Sequence, residues 1–158
     1  MSPLPLFIAT AVLLADRLTK IAVARNMAEF DSIPVIPGVF HLTYVRNPGA
    51  AFGLLPNRTS FFVVISLVVV ALILLFAGRL SKGGPAYQIA LGMMLGGALG
   101  NLWDRLHGGL VIDFLDFRVW PVFNLADSSL VVGVLLFAYL VIRSPGPEPR
   151  AEKKEGRP

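Results

Sequence analysis

From Thr59 to Gly78 the chain carries no formal charge, and the run FFVVISLVVVALILLF within it is apolar on every helical face. A helix of about 20 residues crosses the hydrocarbon of a bilayer, and a helix apolar all round needs lipid or a large protein core about it. A chain of 158 residues has little with which to build such a core, so the segment reads as a membrane span. Composition agrees: 55% of residues are hydrophobic and 15% charged, against about 45–50% and about 25% in soluble domains. Disorder is excluded for most of the length, because disordered segments are charge-rich and poor in apolar residues. The absence of cysteine excludes disulfides, thiol catalysis and thiolate metal sites.

Three further segments read as spans. Residues 86–103 are uncharged and carry Gly92, Gly96 and Gly100 at four-residue spacing, a stripe of small residues against which a neighbouring helix packs closely. Residues 124–142 are interrupted by one charge, Asp127, and residues 4–24 by Asp16, Arg17 and Lys20. That first segment has no basic stretch ahead of its apolar run, so it is expected to be a retained span rather than a cleaved signal peptide. The expected fold class is an all-α membrane protein of four transmembrane helices with a small β-rich cradle between the first two. Within the connection 25–58, Val39–Val45 is rich in β-branched and aromatic residues, as strands are. Pro34, Pro37-Gly38 and Pro48-Gly49 read as turns. An open sheet edge cannot sit in lipid, so the sheet is expected at the membrane surface. His107 to Pro121 is expected as a short excursion on the same side.

The membrane domain is thus expected over residues 1–143, with a charged, disordered tail over 144–158. The net charge of +4 would suit nucleic acid, but Arg143, Arg150, Lys153, Lys154 and Arg157 all follow the last apolar run. Such a tail reads as a cytoplasmic flank. The face with both termini holds slightly more Lys and Arg than the other, which puts the termini in the cytoplasm.

Ionisable residues inside spans cost about 2.5–3.5 kcal/mol each on insertion scales, so they are paired, cavity-facing or functional. Asp16 and Lys20 stand one helical turn apart and read as an ion pair with a structural role. Asp104-Arg105 reads as a structural tie, the guanidinium fork being suited to carboxylates. Asp113 lies in an apolar strip, Val111-Ile112-Asp113-Phe114, and Asp127 opens the last span in Phe123-Asn124-Leu125-Ala126-Asp127-Ser128. A turn at Trp120-Pro121 would let the chain double back and bring the two carboxylates together. Close carboxylates share one proton, so one serves as base toward water while the other donates a proton. That is what peptide hydrolysis without a covalent intermediate requires. His41 and His107 have no partners at ligand spacing, so no metal site is expected. Ser128 and Ser129 read as helix-start groups bonding to backbone.

Together these segments resemble the bacterial lipoprotein signal peptidases, also called signal peptidase II. The matching pieces are Asp16-Arg17-Leu18-Thr19-Lys20, Asn47-Pro48-Gly49-Ala50-Ala51-Phe52-Gly53, Gly100-Asn101-Leu102-Trp103-Asp104-Arg105, Val111-Ile112-Asp113-Phe114 and Phe123-Asn124-Leu125-Ala126-Asp127-Ser128. The resemblance implies an aspartic endopeptidase of the bacterial inner membrane, multi-pass, with its site near the outer face and cytoplasmic termini. Its substrate would be a diacylglyceryl-modified prolipoprotein, cut just before the lipidated cysteine. Asp113 and Asp127 match the catalytic pair. Asn47, Asn101, Arg105 and Asn124 match residues that line or brace the site, and Asp16 and Lys20 match the structural first-span pair. Arg46-Asn47-Pro48-Gly49 is expected to offer backbone donors to the peptide. Asp127, at a helix start and so facing the positive end of the dipole, is expected to be the ionised partner, with Asp113 the proton holder. No cofactor, metal or nucleic acid is expected, membrane lipid is, and the protein is expected to be a monomer.

The rival reading is a small transporter or proton-relay subunit that uses the same acids. It requires a polar path through the full membrane depth, and the 59–78 span offers only Thr59, Ser60 and Ser66 as hydroxyl side chains.

Overall fold

The computed structural model describes residues 2–49, 58–80 and 83–143. Ala50–Gly53 and the tail 144–158, both used in the sequence reading, lie outside them. The order of elements is α1 (Leu4–Asn26), β1 (Ser32–Ile36), β2 (Phe40–Asn47), α2 (Thr59–Leu80), α3 (Pro85–Gly108), β3 (Val111–Asp116) and α4 (Leu125–Arg143). The four helices fall where the apolar segments are. On their own, α2 and α4 are long and apolar enough to cross a membrane, whereas α1 and α3 give positions to charge and to glycine.

α3 is the central helix and packs against each of the other three. Its glycines make that possible. A Cβ at Gly92 would stand 2.6 Å from the Ile8 Cβ of α1, and one at Gly96 would stand 2.7 Å from the Ala9 carbonyl oxygen. On the α4 side, a Cβ at Gly133 would stand 2.9 Å from the Ala90 carbonyl oxygen. The stripe expected to receive a neighbouring helix therefore receives α1 of the same chain. α2 packs chiefly on α3 and turns Leu67, Val68, Leu75 and other large apolar side chains outward, as a lipid-facing helix does. The apolar core gathers Ala9, Ile73, Leu91 and Leu95.

The sheet has three antiparallel strands in the order β1-β2-β3. The register of β1 on β2 pairs Ser32 with Thr43 and Pro34 with His41. Pro34 thus lies within β1 and not in a turn; β1 is an edge strand, where the missing N–H is tolerated. Pro37-Gly38 does form the hairpin turn, with Gly38 at φ +75°. The third strand comes from the excursion before α4, which the sequence reading left without a strand. It pairs Asp113 with Val45 and Val111 with Asn47. α3 also runs on through His107 and closes on Gly109 at φ +70°, whose N–H donates to the Arg105 carbonyl at 3.2 Å.

Gly96→Ala is expected to destabilise the protein by about 1–3 kcal/mol, because the added methyl meets backbone rather than a side chain that can swing away. Gly78→Ala, with nothing within 4 Å of the new Cβ, is expected to be neutral or stabilising, since alanine is the better helix former. Thermal melts of the two variants in detergent test the contrast.

Candidate active site

The polar groups that apolar segments tolerate least are collected at one end of the bundle. The buried polar side chains among the described residues are Asp16 and Lys20 of α1, Asn101 and Asp104 of α3, Asp113 and Asp116 of β3, and Asn124 and Ser129 at the start of α4. All come from the C-terminal halves of α1 and α3, the sheet, and the N-terminal turn of α4.

After β3 the chain doubles back as the Trp120-Pro121 turn suggested. The Phe114 and Leu115 N–H groups both donate to the Phe123 carbonyl, at 2.9 and 2.8 Å, and the Phe123 N–H returns a bond to Leu115 at 3.1 Å. This bridge sets Asn124 directly beside β3. Asn124 is the N-cap of α4: its Oδ1 accepts the Asp127 N–H at 2.8 Å. The Asp127 carboxylate reaches back to the Asn124 N–H at 3.3 Å, a reciprocal capping box. The Ser128 hydroxyl donates to the Asn124 carbonyl at 2.9 Å, the helix-start role expected of it.

Asp113 and Asp127 border one polar cavity of about 210 Å³, together with Asn47, Gly49, Phe62 and Arg105. Both carboxylates are held by amides. Asp113 accepts from Asn124 Nδ2 at 2.7 Å and from Asn47 Nδ2 at 2.9 Å. Asp127 accepts from Asn101 Nδ2 at 2.6 Å. Asn124 Nδ2 also donates to Asn101 Oδ1 at 3.1 Å, so one side chain links Asp113 on the strand to Asn101, which holds Asp127. Burial, and then the negative charge of Asp127, push Asp113 up to about 7, against the pull of Asn47 and Asn124.

Two expectations change in detail. The Gly49 N–H does not face the cavity as a free donor; it bonds to Asn47 Oδ1 at 2.9 Å, which turns the Asn47 amide so that its NH2 meets Asp113. Pro48 has no N–H to offer. The Asp104-Arg105 tie is also replaced. Asp104 pairs with Lys20 at 2.8 Å and with Arg17, while Arg105 turns to the cavity and lies over the Phe62 ring at 5.2 Å. Residues adjacent on a helix point about 100° apart, so neighbours in sequence need not share partners. The Asp16–Lys20 pair forms as expected, at 2.8 Å.

The sequence reading missed Asp104 as a partner of Lys20. It also missed that Asp16 accepts the Ala126 N–H of α4, at 3.0 Å. An i,i+3 or i,i+4 search signals neither, since both contacts join separate helices. Asp116 was passed over too. Burial raises it, but the Thr43 hydroxyl at 2.7 Å and the Arg118 backbone and guanidinium outweigh burial and hold it below the usual carboxylate range. It is an anion with its partners in place, whereas Asp113 has no cation bonded to it among the described residues.

A carboxylate pair in a polar cavity at one end of an apolar helix bundle is the equipment of a membrane aspartic peptidase. The comparisons carry this further. A family model described as signal peptidase (SPase) II matches residues 8–143. A lipoprotein signal peptidase of Pelotomaculum thermopropionicum is 48% identical over 150 residues, covering 94% of this chain and 99% of its own. One of Halothermothrix orenii is 51% identical over 130 residues, covering 82% and 89%. A solved structure of a bacterial membrane enzyme superposes with a TM-score of 0.83 at 34% identity, covering 98% of this chain and 93% of that one. The chain belongs to the signal peptidase II family.

Because Asn124 caps α4, Asn124→Ala is expected to be about 1 kcal/mol less stable than Asn124→Ser, whose hydroxyl still accepts an N-terminal N–H. Both substitutions forfeit the amide contacts to Asp113 and Asn101, so the difference between their unfolding curves reads the cap alone.

Proposed function

We propose that Asp113 and Asp127 are the catalytic pair with which this aspartic peptidase removes the signal peptide of diacylglyceryl-modified prolipoproteins, cutting before the lipidated cysteine. The observation that carries the reading is Asn124, which bonds both carboxylates at once, at 2.7 Å to Asp113 and 3.3 Å to Asp127. Two acids bound to one residue, Asp113 through the Asn124 side-chain amide and Asp127 through the Asn124 backbone N–H, are held as a pair. Close carboxylates hold one proton between them, and Asp113, pushed up to about 7, still carries it in part at neutral pH.

The reaction follows from that division. Asp127 takes a proton from water as the water oxygen attacks the scissile carbonyl carbon. Protonated Asp113 donates to the carbonyl oxygen, giving a tetrahedral gem-diol with no covalent enzyme intermediate. Collapse breaks the C–N bond, Asp127 delivers its proton to the leaving amine, and Asp113 recovers its own from the diol. Asn47, Asn101 and Asn124 hold the carboxylates in place throughout, and Gly49 acts by orienting Asn47. Arg105, in the cavity and unbonded to either acid among the described contacts, is placed to receive a substrate carbonyl.

The surroundings suit a lipidated substrate. Beyond the polar cavity, Asp127 also borders an apolar one of about 440 Å³ lined by Phe117, Trp120, Phe123 and Val131. Another, of about 190 Å³, lies beside Ile65, Val69 and Leu130. Acyl chains occupying apolar space next to the polar cavity would present the scissile bond at the lipid–water boundary. In this reading all four helices cross the inner membrane and residues 1–143 form one membrane domain. The sheet and the acids lie at the outer face, both termini and the 144–158 tail lie in the cytoplasm, and the protein works as a monomer. A proton relay is disfavoured because the buried polar side chains of the described residues stop at one half of the bundle.

Asp113→Asn and Asp127→Asn are each expected to abolish cleavage of a diacylglyceryl prolipoprotein by purified protein in detergent while leaving the melting transition in place. Either variant cutting at the wild-type rate would overturn the pair. The pH profile of the wild type is a second test. Asp113 must be protonated to donate, so with its value at about 7 the rate is expected to fall as pH rises through neutrality. A rate still climbing above pH 8 would assign the donor elsewhere.

A further inference from the structure

The mechanism leaves a buried cation unused. Lys20 is fully buried, and its ammonium meets Asp16 Oδ2 at 2.8 Å, Asp104 Oδ2 at 2.8 Å and Asn101 Oδ1 at 3.2 Å. Two carboxylates already satisfy its charge. The contact with Asn101 is a third, and it leads toward the cavity.

Asn101 Oδ1 has two lone pairs. One takes a bond from Lys20 and the other from Asn124 Nδ2 at 3.1 Å. An ammonium donates only, and the Asn124 NH2 is fixed in its turn, because Asn124 Oδ1 is occupied by the Asp127 N–H. If the Asn101 amide flipped, its NH2 would face an ammonium and a second NH2. The flip is therefore forbidden, and the remaining end of the amide, Nδ2, is aimed at Asp127 Oδ1 at 2.6 Å. A serine or glutamine in place of Lys20 could accept as well as donate, and would leave the Asn124 NH2 alone to oppose the flip. With the ammonium present, both groups facing Asn101 Oδ1 are donors only.

We infer that Lys20 is a positioning residue for the reaction: by donating to Asn101 Oδ1 it fixes the amide that holds the Asp127 carboxylate toward water. The inference rests on Asp127 being the base. The competing role, a purely structural tie between α1 and α3, needs the carboxylate contacts of Lys20 and makes the Asn101 contact incidental.

The test removes Lys20 without stranding a charge. In Lys20→Met/Asp16→Asn one positive and one negative group disappear together. Asp104 keeps Arg17, and the amide introduced at position 16 still accepts the Ala126 N–H. Asp16→Asn alone, which leaves Lys20 paired with Asp104, is the control. Relative to that control the double variant is expected to melt similarly and to keep KM for a diacylglyceryl prolipoprotein. Its kcat is expected to fall on the order of 10²-fold, the scale of a 1 Å misplacement of a reacting group. In an Asn101→Ala background the same loss of Lys20 is expected to cost little more, since the relay is already cut. A folded double variant with the kcat of its control, or losses that multiply in full with Asn101→Ala, would overturn the inference. Lys20→Leu/Asp16→Asn repeats the test with a second apolar replacement that likewise strands no charge. Failure of both to fold would make Lys20 a folding group and overturn it as well. Asp127→Asn, assayed in parallel, separates the two readings. An active Asp127→Asn sinks the catalytic pair itself, whereas an inactive one beside a fully active balanced variant sinks only the positioning role.

Discussion

One ammonium, on Lys20, organises the polar end of this bundle. Removing an ion from water costs several kcal/mol even after relaxation, and only well-placed partners offset that. Here the partners come from separate helices: Asp16 on α1, and Asp104 and Asn101 on α3. Asp16 then spends its other oxygen on the Ala126 N–H of α4, which is one of the donors a helix N-terminus leaves unsatisfied. Three helices are thereby tied to a single charge. Apolar side chains of similar volume often stabilise a core as well as a buried ion pair does, so stability alone does not account for the lysine. Directional control does, since an ion and its partners admit fewer arrangements than a methyl-lined contact.

That ion cluster depends in turn on backbones that approach closely. A Cβ at Gly100 would stand 2.7 Å from Asp16 Oδ2, so a larger residue there would push out the carboxylate that pairs with Lys20 and caps α4. The glycine stripe and the charge cluster are thus two parts of one device. Glycine lets α1 lie against α3, and the closeness excludes water. Exclusion of water strengthens each bond in the cluster, because a charge in a low-dielectric setting interacts more strongly than in solution.

Much of this was legible in the sequence because lipid imposes simple rules. Long apolar runs marked α2 and α4, and glycine spacing marked the close face of α3. The i,i+4 spacing of Asp16 and Lys20 marked their pair, and acids within or beside apolar runs marked the candidate site. What was not legible depends on contacts between segments. β3 is a strand because it finds β2, yet its own residues, Val111–Asp116, alternate poorly; the register slips between Leu42 and Val45, and a bulge breaks the two-residue period. Pro34 was read by its local habit as a turn, when an edge position made it acceptable in a strand. Asp104 was assigned to its sequence neighbour Arg105, when helix geometry sends the two in different directions. The Gly49 N–H was assigned to a substrate, when a nearer acceptor, Asn47 Oδ1, had claimed it.

The site also shows why a sheet belongs beside a helix bundle of this kind. Asp127 rides on a helix start, where capping geometry limits its position. Asp113 rides on a strand, where a slip of one residue would turn its carboxylate to the opposite face. The register of β3 must therefore be pinned from both sides. At one end Asn47 pairs with Val111 across the strands and bonds Asp113. At the other, the Asp116 carboxylate is clamped by Thr43 and Arg118, and the Phe123 bridge holds the strand where it leaves for α4. The Asn47 contacts lie at the cavity wall and the others outside it, and each opposes the one-residue slip that would separate the two acids. The sheet is the alignment gauge for the strand-borne carboxylate, just as the Lys20 cluster is for the helix-borne one, and Asn124 is where the two gauges meet.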